Sequence, residues 1–216
     1  MHKFHWTGAI VLGLWLLSFA ASAEAHSTVK GVGDLYAGLL HVLTALEHVL
    51  PFIALSLLAG QRGLKAHAEA VLLVFPLALM LGAAAALWIP PIPGLTFFNV
   101  ASAILLGGLV ASAWPIPAAL FYGLVVVFGI SHGFANGEAI TENIKAYLFI
   151  LGIGLAGLAV LAYGTLMVDY LLRRKARWIT IAVRVAGSWI AAIGVLVLAT
   201  TGKSMLASLG ALRLFT

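Results

Sequence analysis

The chain has 216 residues, of which 63% are hydrophobic and 9% charged. Soluble domains run about 45–50% apolar and about 25% charged, so a chain with a mean hydropathy of +1.12 has too little polar surface to stay in water and reads as an integral membrane protein. The absence of cysteine excludes a disulfide framework, a thiolate metal site and a Cys nucleophile, and the net charge of +5 reads as membrane topology rather than as a nucleic-acid signal.

The chain opens with a weakly basic segment, Met1 to Trp6, and a short apolar run from Gly8 to Ala20. Two overlapping A-x-A patterns follow, Ala21-Ser22-Ala23 and Ala23-Glu24-Ala25. The sequence therefore predicts a cleavable signal peptide over residues 1–25. Cleavage after Ala25 makes His26 the new N-terminus, where its amine and imidazole can chelate one ion together; cleavage after Ala23 removes that option.

A bilayer core of about 30 Å needs about 20 apolar residues at 1.5 Å rise each. The remaining chain supplies six such stretches, expected at 35–59, 68–89, 95–113, 117–135, 145–171 and 179–201. The fold class is thus an all-α integral membrane protein, with six transmembrane helices in a single domain over 26–216. Pro, Gly and charge signals mark short connections between the spans, and none leaves room for a soluble nucleotide-binding module. Lys and Arg number two at 60–67, four at 173–177, one at 136–145 and none at 90–94 or 114–117. The positive-inside rule then places the loops at 60–67 and 173–177 in the cytoplasm. The mature N-terminus and the 136–145 loop, with Glu138 and Glu142, lie on the periplasmic side of an inner membrane.

Ionisable groups inside a span are costly and mark function. In the first span His41 and His48 fall within about 20° of each other on a regular helix turning about 100° per residue, and Glu47 points about 100° away from His48. The fourth span ends in His132, Gly133, Asn136, Gly137 and Glu138. It runs opposite to the first, so His41 and His132 fall in the same outer third of the bilayer and can share a site. The Gly152-Ile-Gly154-Leu-Ala-Gly157 stretch matches G-x-G-x-x-G, but it sits mid-span with no preceding strand and reads as a packing face. Imidazole with carboxylate suits a borderline divalent ion such as Ni2+, Co2+, Zn2+ or Cu2+, whereas sparse methionine and absent cysteine disfavour Cu(I).

The first-span motif resembles that of the HupE/UreJ family of small membrane proteins, H-P-x-x-G-x-D-H. His41 and His48 match its histidines, with Val42, Ala45 and Glu47 standing where the family has Pro, Gly and Asp. The second motif resembles H-G-x-A-H-G-x-E. His132, Gly133, Ala135 and Gly137 match, Asn136 replaces the second His, and Glu138 falls one residue before the acid. Arg184 to Gly187 and Gly194 resemble the end of the family pattern. The resemblance implies nickel or cobalt permease activity with hydrogenase or urease maturation partners. The candidate metal residues are accordingly His26, His41, Glu47, His48, His132, Asn136 and Glu138. The leading expectation is a secondary permease for a divalent metal, nickel foremost. Its alternatives are a membrane protein with haem b held by His41 and His132, an intramembrane metal-dependent hydrolase with Glu47 as base, and a metal-binding sensor or accessory protein.

Overall fold

A computed structural model describes residues 33–213, and the side chains of all of these except 64–66 and 203–213. The expected signal peptide and His26 lie outside the described residues. Every regular element among the described residues is helical. In chain order these are α1 (Gly33–Thr44), α2 (Leu46–Arg62), α3 (Leu64–Glu69), a π-helical turn (Ala70–Val74), α4 (Phe75–Ala85), α5 (Leu95–Ser112), α6 (Ala118–Gly137), α7 (Ala146–Leu172) and α8 (Arg177–Arg213).

Five stretches are long and apolar enough to cross a bilayer: His67–Ala85, Leu95–Ser112, Ala118–Gly137, Ala146–Leu172 and Arg177–Gly202. The pair α1 and α2 makes a sixth if counted as one span. These limits fall close to the predicted second to sixth spans. The first differs, because the helix expected over 35–59 is broken at Ala45, and its halves meet at 74°. Local chemistry accounts for the break. The Thr44 hydroxyl donates back to the Leu40 carbonyl at 2.8 Å, a bond that bends helices. Six residues after Ala45, Pro51 has no N–H to donate to the Glu47 carbonyl in the first turn of α2 and crowds it. Ala45 itself is extended, with φ −87° and ψ 110°. In the second span, Pro76 is met by the wide π-helical turn just before it, which accommodates a ring that would clash with the Leu72 carbonyl.

The helices pack in close pairs where glycine replaces a side chain. A Cβ on Gly38 would strike the Phe149 backbone, and one on Gly152 the Leu35 backbone, so α1 and α7 touch main chain to main chain. The same interlock joins α4 to α6, where Gly82 meets Ile130 and Gly133 meets Leu79. Gly107 and Gly187 bring α5 against α8. Such close approach is how helices associate where lipid removes the hydrophobic drive between them. Gly154 and Gly157 pack on Met80 and on Leu79 with Phe75, in keeping with the packing face expected there.

The two ends of the bundle differ in charge. Asp34 at the start of α1 accepts from the Lys145 backbone N–H at the start of α7, at 3.1 Å, so these two elements begin at one end. Alternation along the chain brings Glu138 and Glu142 to that end too. The opposite end carries Arg62 and Arg184, which donate to the Trp114 and Ala111 carbonyls at 3.3 and 2.7 Å. Asp169, near the same end, pairs with Arg173 at 2.9 Å.

Gly133→Ala drives a Cβ into the Leu79 main chain and is expected to cost about 1–3 kcal/mol, as overpacking does. Gly123→Ala, where nothing lies within 4 Å, is expected to leave stability unchanged. Thermal unfolding of the purified variants in detergent checks the contrast.

Candidate functional site

The break at Ala45 turns His48 into the bundle while His41 stays on the last turn of α1. His48 is buried and His132 fully so. Their rings lie edge to face with centroids 5.4 Å apart, and their Nδ1 atoms are 3.1 Å apart. His41 stands next in the row, its ring centroid 6.0 Å from that of His48 and 5.8 Å from Phe149. Three imidazoles from α1, α2 and α6 thus form one chain that starts half-buried and ends fully enclosed. Phe52 and Phe128 close around His132, with ring centroids 5.4 and 6.5 Å away.

The inner end of the row is finished by α5. The Ser102 hydroxyl lies 2.9 Å from His132 Nε2 and 2.5 Å from the Asn99 carbonyl oxygen. Asn99 Nδ2 donates to the Ser131 carbonyl at 3.2 Å, and Asn136 Nδ2 donates to the His132 carbonyl at 2.7 Å. The Asn99 amide thus ties α5 to α6, while the Asn136 amide bonds within α6. Their other atoms, Asn99 Oδ1 and Asn136 Oδ1, are buried without a hydrogen-bond partner. Leaving such a group unsatisfied costs about 1–3 kcal/mol, so each is an acceptor oxygen that a cation or water would stabilise.

The sequence-predicted residues divide into two groups. His41, His48 and His132 stand in one row, and Asn136 bonds the His132 main chain. Glu47 and Glu138 are both exposed and stand apart from the His48 and His132 nitrogens as the side chains are arranged. Among the described residues no three His, Asp or Glu side chains converge as a ready-made ion site. Ser131, next to His132 in sequence, turns its hydroxyl to the Phe128 carbonyl at 3.4 Å rather than to an imidazole, so it forms no nucleophile–base pair. Asn99 and Ser102 are members that a search for ionisable groups overlooks. Their signal is nonetheless in the sequence, because two polar side chains three residues apart in an apolar span share one helix face.

A family model described as HupE / UreJ protein matches residues 14–197. No curated protein and no solved structure matches the chain.

His132→Leu removes the partner of both His48 and Ser102 inside an apolar bundle. It is expected to lower stability by about 1–3 kcal/mol, whereas Glu138→Gln at the exposed end is expected to have no effect. Melting temperatures in detergent provide the check.

Proposed function

The chain belongs to the HupE/UreJ family, and from that premise we propose that it is a secondary permease admitting a divalent transition metal, nickel foremost, in support of metalloenzyme maturation. The family is associated with nickel and cobalt accessory or transport functions for hydrogenase and urease rather than with an enzymatic activity. The several long apolar helices are those of a multi-pass membrane protein. The finer reading places it in the inner membrane behind a cleaved signal peptide, with the acidic end periplasmic and the basic end cytoplasmic, as the positive-inside rule requires.

The observation that carries this reading is the enclosed pair His48 and His132. Two nitrogens 3.1 Å apart, each about 2.1 Å from one ion, subtend about 95° at it, which suits two adjacent ligands of a borderline divalent cation. Beyond the two imidazoles, the unpartnered buried oxygens on α5 and α6 are neutral, the amide oxygens of Asn99 and Asn136. A site with two imidazoles and weak oxygen donors binds less tightly than a closed structural centre. Transport needs such a balance, because the ion must also leave.

The break at Ala45 supports the same reading. Helices interrupted within the membrane place the partial negative charge of a half-helix C-terminus at the cation path, and here α1 ends one turn beyond His41. In this account Glu138 and Glu142 gather the ion at the outer mouth, and His41, with Glu47 nearby, receives it. His48 and His132 then hold it inside. Inward movement of a divalent ion gains about 4.6 kcal/mol per 100 mV of membrane potential, enough for uptake without ATP. Cobalt, zinc and Cu(II) share the required ligand preference.

Uptake of radiolabelled nickel by cells is expected to fall, in a His41→Ala/His48→Ala variant, to the level of cells lacking the protein. Immunoblotting of membranes ensures equal amounts of both forms. Equal uptake by the variant contradicts the proposal.

A further inference from the structure

The hydrogen bonds around His132 have only one consistent arrangement of protons. A serine hydroxyl carries a single hydrogen. Ser102 Oγ lies 2.5 Å from the Asn99 carbonyl oxygen, which can only accept, so the hydroxyl proton must point there. Toward His132 Nε2, 2.9 Å away, Ser102 can then only accept. Nε2 therefore carries the ring proton, and in the neutral ring Nδ1 is a bare lone pair. That lone pair faces His48 Nδ1 at 3.1 Å.

We infer that Ser102, held by the Asn99 main-chain carbonyl, is the positioning residue that fixes His132 in its Nε2–H tautomer and thereby presents Nδ1 to the ion path. The inference rests on the proposed function for its purpose, though the tautomer itself follows from geometry alone. Ligating histidines are commonly held in this way, with the second ring N–H donated to a neighbouring acceptor. Without an ion, His48 supplies the hydrogen between the two Nδ1 atoms. When an ion takes its place, that hydrogen moves to His48 Nε2, so the ring stays neutral and no proton is released by the pair. The side chain of Asn99 is not part of the relay, because its backbone oxygen does the accepting. Ser102 accordingly acts through His132 and does not itself touch the ion.

Nitrogen-15 NMR of histidine-labelled protein in lipid bilayers reads the tautomer directly, with the His132 signals assigned by their loss in His132→Gln. The unsubstituted protein and Ser102→Thr, which keeps the hydroxyl, are expected to show His132 protonated on Nε2. Ser102→Ala is expected to show a mixture of tautomers. Titration with Co2+, followed by its d–d absorption, is expected to give about 10–100-fold weaker binding in Ser102→Ala, with recovery in Ser102→Thr. A His132 proton on Nδ1 in the unsubstituted protein overturns the inference. So does a Ser102→Ala variant with unchanged tautomer and unchanged Co2+ affinity. If Co2+ fails to bind the unsubstituted protein while His132 is protonated on Nε2 and Ser102→Ala mixes the tautomers, the permease reading fails and the role of Ser102 in setting the tautomer stands.

Discussion

The contact between His48 and His132 is the constraint on which the rest of the arrangement depends. Two imidazoles placed 3.1 Å apart in an apolar bundle stay there only if each remaining polar atom finds a partner or a purpose. His132 is fully buried, so its second nitrogen must be satisfied from within the protein. Ser102 meets that need from α5. The same requirement explains why α5, which carries no ionisable residue, belongs to the site as much as α2 and α6 do.

The packing around the pair follows from this. For His132 to reach His48, α6 must lie close against its neighbours, and Gly133, one residue on, allows main-chain contact with Leu79 of α4. For His48 to turn inward, the first span must change direction, and it does so at Ala45 by 74°. The break is where sequence, geometry and function join most tightly. Thr44 and Pro51 weaken the helix on either side of it. Its effect is to set His41 and His48 in a row leading inward, with the carbonyl end of a helix beside them.

Much of this was legible in the chain itself. The apolar lengths located the second to sixth spans closely, because bilayer thickness dictates helix length whatever the tertiary packing. Histidines within spans stood out for the same reason, as did the family motifs around His41, His48 and His132. The bend was not legible. A regular 3.6-residue period puts His41 and His48 on one stripe of a continuous helix, and only tertiary structure reveals that Ala45 interrupts it. The two glutamates mark a similar limit. Glu47 and Glu138 sit beside ligand-type residues in sequence, yet helix geometry turns both outward. Asn99 and Ser102 were overlooked because neutral polar residues in a span carry less signal than charged ones. They become essential only when the buried histidine that they serve is in view.

In the proposed function, the enclosed histidine pair lets a divalent ion cross the membrane down its electrical gradient. The most direct measurement uses the purified protein in liposomes that contain a nickel-sensitive dye, with an inside-negative potential set by potassium and valinomycin. Nickel accumulation is expected to grow with the imposed potential and to disappear in a His48→Ala variant reconstituted at equal density. Dye signals no higher than those of protein-free vesicles at every potential, or equal accumulation by the variant, would contradict it.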